Sequence, residues 1–315
     1  MDIPYRRELS FEYGRLEPVA PQIRRLIARN PGPFTFKGTG TYVVGHGDVA
    51  VIDPGPLDQA HIDALLQALA HETVTHILVT HTHLDHSPAA APLKQATGAP
   101  TYGYGPHGGA RQDATGEAGA DWDFLPDHVL HDGDSVSGSD WTLQAVHTPG
   151  HTSNHLCFAF PQQQTLFSGD HVMAWSTTVI SPPDGNMGDY VQSLRKLQQR
   201  NEQRYWPTHG PAIEHPQPHL AAFIHHRLER EQAIIDALTA QAGNAGLTPL
   251  QLVALVYRNL DPRLVSAAAR SVQAHLLHLL QQGRVLPVVA AEVAGSNAAG
   301  SNAPAYRLSS QDASP

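Results

Sequence analysis

The run HTHLDH at residues 81–86 constrains this chain more than any other feature of its sequence. Within it, three imidazoles and one carboxylate belong to His81, His83, Asp85 and His86. The run follows the apolar segment VTHILVT, which predicts a buried strand. Imidazole suits Zn²⁺, and carboxylate also binds harder ions, so the run predicts a metal site at the end of a strand, with zinc favoured and iron or manganese left open.

Strand and helix patterns alternate around this run. The segment Gly38–Pro54 predicts a β-hairpin, and the following segment LDQAHIDALLQALA predicts a helix. Further strands are predicted at Pro100–Tyr104, Trp141–His147, His155–Phe160 and Thr165–Ser168, and helices at Ala89–Ala96 and Tyr190–Gln199. This alternation favours a layered α/β architecture over a helical bundle or an all-β sandwich.

The composition changes after Pro211, because the segment from His219 to Gln282 carries helical patterns only. We therefore predict two domains, residues 1–215 and residues 216–315. In the second domain, Thr248 is the expected N-cap of one helix and Gly283 the expected C-terminal glycine of another. Two strand-like segments, GRVLPVV and APAYRLS, then flank a low-complexity loop at residues 290–302, so the domain resembles a winged helix.

Charge and composition limit the function classes. The 315 residues carry a net charge of −9 with only three lysines, which argues against a broad polyanion-binding face. Arg258, Arg263 and Arg270 are the only cations in the helical part of the winged-helix-like unit, which favours a packing or substrate-lid role over DNA binding. The sequence has no long apolar run, no secretory signal pattern and a single cysteine, Cys157, so we expect no membrane contact and a cytoplasmic location.

The HxHxDH pattern after an apolar strand resembles the metallo-β-lactamase superfamily. The resemblance implies a four-layer αββα sandwich carrying the small winged-helix-like domain. It also implies three further ligands, namely His151 in HTPGHTSNH, Asp170 in LFSGDHV and His209 in YWPTHGP. The family pattern assigns one metal to His81, His83 and His151, the other to Asp85, His86 and His209, and a bridging position to Asp170. The implied cofactor is a pair of Zn²⁺ ions, with Mn²⁺ or Fe²⁺ as alternatives.

Two metals so placed would share a water whose pKa falls toward 7, and a metal-bridging hydroxide would then attack the substrate. The expected enzyme is therefore a metal-dependent hydrolase, with Asp85 as its catalytic residue. His155 and His171 adjoin the ligands and are candidates for orienting them. The histidines on predicted helices are interpreted as surface or packing residues.

The substrate is left open by the sequence. The segments NPGPFTFKGTGTYVVG, GDHVMAWSTTVI and HHRLERE resemble the lactamase-β-2-like branch, which includes a single-strand-specific endoribonuclease. The resemblance implies phosphodiester cleavage, an endoribonuclease-like activity on single-stranded RNA, as one leading activity. Gly40 departs from that branch, which has Asn there. Trp175 and Tyr190 are candidates for stacking on a base or for hydrophobic contacts. We expect a small-molecule or single-stranded RNA substrate, and a homo-oligomer is compatible with the sequence.

Four alternatives remain at this point. Two of them, a glyoxalase II-like thioester hydrolase and a promiscuous β-lactamase, would use the same ligands. A third is an iron site of the persulfide-dioxygenase type. The fourth belongs to another class, a metal-stabilised nucleic-acid-binding regulator in which the winged helix acts.

Overall fold

Two facing β-sheets form the centre of the molecule. The structure is a computed structural model that describes residues 2–108, 119–241, 245–257, 260–288 and 304–309. Arg258 and the predicted loop at residues 290–302 lie outside these ranges. Within the described ranges, none of the helices has the length and apolarity needed to cross a bilayer.

The first sheet has seven strands in sequential order. They are β1 (Glu17–Ala20), β2 (Ile23–Ile27), β3 (Gly40–Val44), β4 (Asp48–Ile52), β5 (Thr73–Leu78), β6 (Thr101–Gly103) and β7 (His128–Val129). Pairing is antiparallel from β1 to β4 and parallel from β4 to β7. Helix α1 (Gln59–Ala68) connects β4 to β5, and helix α2 (Ala90–Thr97) connects β5 to β6. The predicted hairpin is confirmed as β3 and β4.

The second sheet has six strands in the order β13-β12-β11-β10-β9-β8. They are β8 (Ser135–Ser137), β9 (Thr142–His147), β10 (Leu156–Phe160), β11 (Thr165–Gly169), β12 (Arg204–Pro207) and β13 (Ile213–Glu214). Strands β11 and β12 pair in parallel, and the connection between them contains the crossover helix α3 (Met187–Gln198). The other pairs are antiparallel.

Three hydrophobic clusters separate four layers. Between the sheets, Tyr42 and Phe158 belong to one buried cluster. Outside the first sheet, Val51 of β4 and Leu65 of α1 belong to a second buried cluster. Outside the second sheet, residues of α3 and of helix α4 (Pro216–Ala240) form a third, which includes Leu194. The predicted αββα sandwich is therefore confirmed.

The C-terminal part has the predicted winged-helix elements. It contains α5 (Pro249–Val256), α6 (Val265–Gln281), β14 (Val285–Val288) and β15 (Ala305–Leu308), and the two strands pair antiparallel. Thr248 is the N-cap of α5 and forms a capping box with Gln251. Gly283 has a positive φ of 73°, which glycine adopts without strain, just beyond α6.

Helix α4 belongs to two hydrophobic cores at once. Its first half places Leu220 and Phe223 in the cluster against the second sheet. Its second half places Ile234 and Leu238 in the core of the C-terminal elements. The predicted boundary at residues 215 and 216 coincides with the start of this helix and stays a prediction.

Candidate metal centre

The seven predicted ligands converge where four strands end. The 81–86 run follows β5, His151 follows β9, Asp170 follows β11 and His209 follows β12. Side chains that leave the strand ends can turn into the space between the sheets without interrupting the ladders. The histidine and aspartate donor atoms form overlapping groups in which all members lie within 4.8 Å of one another.

Three of the ligands, His81, His83 and His151, present only imidazoles, and we call them the imidazole group. The Nε2 atom of His81 lies 2.9 Å from Nδ1 of His83. That same Nδ1 lies 3.0 Å from Nε2 of His151. Three ring nitrogens therefore point at one another, as ligands of a single ion do.

Another three, Asp85, His86 and His209, form what we call the mixed group. Asp85 Oδ2 lies 3.2 Å from Nε2 of His209 and 3.4 Å from Nε2 of His86. Asp170 Oδ2 lies 3.4 Å from Nε2 of His209, 3.6 Å from Nε2 of His86 and 3.8 Å from Nε2 of His151. One carboxylate oxygen of Asp170 is therefore within reach of both groups, which is the bridging position predicted for it.

Hydrogen bonds on the far side of each ring determine which nitrogen faces inward. The Nδ1 atoms of His86, His151 and His209 lie 2.9, 2.7 and 3.3 Å from Asp53 Oδ2, Val179 O and Gly38 O, respectively. A carbonyl or carboxylate oxygen only accepts, so each Nδ1 carries the proton and donates it. In the neutral ring each Nε2 is therefore the nitrogen whose lone pair faces the cluster, as a metal ligand requires.

The sequence analysis missed Asp53, which connects ligands of both groups. Its carboxylate accepts bonds from Thr80 N (2.7 Å), Thr80 Oγ1 (2.8 Å) and His86 Nδ1 (2.9 Å). Because the Thr80 hydroxyl donates to Asp53, it accepts from His81 Nδ1 at 3.0 Å, which leaves Nε2 of His81 as the inward lone pair. The signal in the sequence was the motif IDPG, which places this aspartate directly after β4. In the structure Asp53 has a positive φ of 49°, a backbone conformation that is rare for residues other than glycine and is often found at functional sites.

The donor set fits a bound cation. Within the described residues, the buried atoms His86 Nε2 and Asp170 Oδ1 have no hydrogen-bond partner. Buried polar atoms in native proteins normally have one, so these two mark a place for a ligand that accepts electron pairs. Imidazole nitrogens with a few carboxylate oxygens are typical zinc ligands, and manganese and iron also accept them.

Charge is distributed unevenly over the cluster. Burial raises the pKa of Asp85 and Asp170, but the imidazoles of His86 and His209 outweigh it and hold both pKa values well below the usual range. Burial likewise opposes protonation of His209, yet Asp170 and Asp85 raise its pKa to about 10. The pKa of His81, by contrast, is lowered by burial and by the neighbouring imidazoles. The mixed group thus attracts a positive charge, whereas His81 is neutral.

His155 and His171 differ in their relation to the ligands. His155 Nε2 accepts a bond from Asp170 N at 3.2 Å, and its ring stacks on His81 with centroids 5.1 Å apart. Both ring nitrogens of His171 are buried and lack a hydrogen-bond partner among the described residues. Only His155 therefore contacts ligands in the manner predicted for both.

The two candidate stacking residues also differ. Tyr190 is 0% exposed and donates its hydroxyl to His171 O at 3.0 Å, so of its two interpretations the structure supports the hydrophobic contact and not the base stacking. Trp175 is partly exposed and stacks on Phe36, with ring centroids 5.0 Å apart. Gly40 donates its N–H to Thr208 O at 2.9 Å, and a Cβ at position 40 would lie 3.1 Å from that oxygen. The glycine that departs from the branch pattern permits this close approach.

Comparison with known proteins identifies both parts of the chain. Residues 35–209 match the model of the metallo-β-lactamase superfamily, and residues 248–288 match that of the β-lactamase-associated winged helix domain. A β-lactamase-like protein 2 homolog of Drosophila melanogaster is 31% identical over 280 residues, covering 83% of this chain and 88% of the relative. An atrochrysone carboxyl ACP thioesterase of Aspergillus fumigatus is 28% identical over 259 residues, covering 78% and 76%.

Solved structures show the same fold. A β-lactamase domain protein from Burkholderia ambifaria superposes with a TM-score of 0.77 at 20% identity, covering 98% of this chain and 97% of that one. A metallo-β-lactamase family protein from Thermus thermophilus has a TM-score of 0.71, also at 20% identity, covering 93% and 100%. This chain therefore belongs to the metallo-β-lactamase superfamily of hydrolases and joins that domain to a β-lactamase-associated winged helix.

Proposed function

We propose that this protein is a dinuclear metallohydrolase in which the imidazole group holds one metal, the mixed group the other, and Asp170 contacts both. The observation that carries the proposal is the position of Asp170 Oδ2, which lies 3.4–3.8 Å from nitrogens of both groups. Two divalent ions there, Zn²⁺ first and Mn²⁺ or Fe²⁺ as alternatives, would lower the pKa of a shared water and polarise the attacked carbonyl or phosphoryl oxygen.

The chain's own residues supply orientation rather than a nucleophile. Cys157 is fully buried, and burial raises the pKa of its thiol to about 12, so it does not provide a thiolate. Thr39 Oγ1 donates to Asp85 Oδ2 at 2.8 Å and holds that carboxylate in place. The Asp85 side chain is 25% exposed, compared with 10% for Asp170, so it is the better placed of the two to contact an incoming water.

For the substrate class we propose an acyl thioester. Similarity to relatives named as acyl carrier protein thioesterases supports this choice, as does the net charge of −9, which disfavours a polyanion. Two apolar side chains also lie beside ligands. Trp175 lies against Gly210, the residue after His209, where a Cβ would come within 2.9 Å of its ring. Leu84, between His83 and Asp85 in the chain, is 48% exposed.

Single-stranded RNA is the second candidate, and the Phe36–Trp175 stack favours it specifically. The two rings are stacked with an angle of 22° between their planes, and both side chains are partly exposed. They offer an aromatic face on which a base could stack. Lys37, next to this stack, has its ammonium group 5.7 Å from the Phe36 ring centroid. This is the kind of site at which a phosphate could be neutralised.

The decisive experiment loads the purified protein with Zn²⁺ or Mn²⁺ and compares four substrates. These are an acyl-coenzyme A thioester, single-stranded RNA, S-lactoylglutathione and nitrocefin. We expect the fastest turnover on acyl-coenzyme A, and loss of that turnover in Asp85→Ala. Faster cleavage of RNA would replace the thioester proposal with the ribonuclease one. Equal activity in the Asp85→Ala variant would contradict the two-metal mechanism, and salt-dependent DNA retention without any turnover would support a regulator instead.

A further inference from the structure

Arg227 is an arginine in the middle of α4, outside both segments that match family models. Its side chain is only 4% exposed. The guanidinium lies 5.1 Å from the ring centroid of Tyr190 on α3, and one of its terminal nitrogens donates to the carbonyl oxygen of Thr178. An arginine is rarely buried this deeply unless its charge has a defined partner, and here that partner is a backbone carbonyl in the loop between β11 and α3.

The loop that Arg227 contacts carries or orients two of the ligands. The hydroxyl of Thr178 lies 2.8 Å from the carbonyl oxygen of Asp170 and 2.9 Å from that of His171, and it can donate to either. The next carbonyl in the chain, Val179 O, accepts from Nδ1 of His151 at 2.7 Å. Arg227 therefore binds the carbonyl of Thr178, the residue whose hydroxyl contacts the backbone of Asp170. The next carbonyl, that of Val179, is the acceptor that fixes the tautomer of His151.

Tyr190 binds the same loop at a second position. Its hydroxyl donates to His171 O at 3.0 Å, and its ring is the surface on which the Arg227 guanidinium lies. Residues of both α3 and α4 therefore bind the loop. Since α4 also contributes to the core of the winged helix, Arg227 connects the helix on which that domain packs to the loop beside the ligands.

We propose that Arg227 is a positioning residue for the metal centre, acting through Thr178 and Val179 on Asp170 and His151. Removing its hydrogen bond would leave the carbonyl of Thr178 without its charged donor and allow the loop to move. His151 would then lose the fixed acceptor that directs its Nε2 inward. This inference rests on the proposed metal site, because it concerns how that site is held in shape.

The test compares Arg227→Met with Arg230→Met. Arg230 lies one turn further along α4, donates to Val256 O at 3.2 Å and places its guanidinium 4.7 Å from the Tyr257 ring, so it makes the same kinds of contact with the winged helix instead of the ligand loop. Zinc affinity is measured by chelator competition, and the geometry of the site by the visible spectrum of the Co²⁺-loaded protein. Thermal unfolding of the metal-free chains reports stability separately.

We expect Arg227→Met to weaken zinc binding roughly tenfold and to alter the Co²⁺ spectrum, while Arg230→Met stays within about twofold of the parent protein. Arg227→Lys, which keeps a donor and a charge, should recover part of the affinity. If Arg227→Met does not fold, Thr178→Val, which removes only the hydroxyl, is expected to change the Co²⁺ spectrum in the same direction. Unchanged affinity and spectrum in the variant that folds, or equal losses in both arginine variants, would overturn the inference. Failure of the parent protein to bind zinc would overturn the proposed function instead.

Discussion

The imidazole group and the mixed group lie side by side but differ in charge and in how they are held. The imidazole group contains no carboxylate, and the pKa of His81 is lowered by burial and by the neighbouring rings. The mixed group contains Asp85, and although burial opposes it, the carboxylates around His86 raise the pKa of that ring. A metal would therefore meet a neutral His81 ring in the first group, but would have to displace protons from the second.

For the proposed two-metal site, this difference predicts different metal preferences at the two positions and different sensitivities to substitution. Nitrogen-only donors suit zinc, whereas a carboxylate broadens the choice toward harder ions such as manganese. Asp170 is the exception, because it contacts histidines of both groups. Substitutions at Asp170, Asp85 and Asp53 should therefore weaken metal binding by the two groups to different degrees.

The largest effect is expected at Asp170. Asp170→Asn keeps the shape but removes the charge shared by both groups, so both should lose affinity, and kcat should fall by about 10³-fold. Metal content per chain and turnover are measured together. The control is Asp140→Asn, which alters an exposed carboxylate bound only to Gln22 among the described residues. An Asp170→Asn protein that retains two metals and full turnover would show that the groups are independent.

A smaller and one-sided effect is expected at Asp85. Asp85→Ala removes the carboxylate of the mixed group only, so the protein should retain about one metal and lose roughly 10²-fold in kcat. Metal analysis by atomic emission checks the stoichiometry. Loss of both metals would mean that the imidazole group depends on its neighbour, contrary to the asymmetry described above.

Asp53 tests the support behind the ligands. In Asp53→Asn, one carboxylate oxygen becomes an NH₂ group, which cannot accept the proton of His86 Nδ1. We expect roughly 10–100-fold weaker metal binding, mainly in the mixed group, because His81 is reached only through Thr80. Chelator titration of the two metals in sequence distinguishes them. An equal loss of metal affinity in both groups would show that Asp53 supports the two groups equally.

The mildest test varies pH without any substitution. Because the metal-free pKa of His209 is raised to about 10, metal must displace its proton, and affinity of the mixed group should rise up to about tenfold per pH unit between pH 7 and 8. The imidazole group, with the pKa of His81 lowered, should change little. Zinc titrations at the two pH values measure both steps. Parallel slopes for the two metals would remove the distinction between the groups.

The same raised pKa has a consequence for the stability of the metal-free chain. A group whose pKa is higher in the folded state stabilises that state fully below its unfolded pKa, near 6.5, and loses this contribution as pH rises toward 10. Thermal unfolding without metal should therefore show a falling melting temperature between pH 7 and 10. Metal-loaded protein should lack this decline, since the metal replaces the proton.

Much of the fold was visible in local patterns. The β3–β4 hairpin, the helices flanking the second sheet and the capped α5 helix all follow from periodicity and from Gly or Thr signals near their ends. Six strands were missed, namely β1, β2, β7, β8, β12 and β13. Strand β2 reads IRRLI, and two adjacent arginines hide its alternation, although Arg25 is only 7% exposed and Arg24 pairs with Glu72. Glu72 compensates the charge of Arg24, and Gly210 O accepts a hydrogen bond from Arg25 at 3.4 Å. Both partners are distant in the chain, so no local pattern reveals them.

The candidate site shows the same limit. Its seven candidate ligands could be predicted because each occurs in a short motif near the end of a strand, and the structure brings them together. Asp53 was missed because its role depends on Thr80, His86 and Thr208, which are 27 to 155 positions away in the chain. Arg227 was visible only as part of HHRLERE, since its partner Thr178 lies 49 positions earlier. Assigning such roles requires three-dimensional contacts.

Helix α4 couples the unfolding of the two parts of the molecule. At 25 residues and 1.5 Å per residue it is a rod of roughly 37 Å, and both of its ends are buried in different cores. Unravelling either end would expose Phe223 or Ile234, each 0% exposed, and would withdraw support from the other core. The catalytic sandwich and the winged helix should therefore melt as a single cooperative unit, and a chain cut within α4 would lose both.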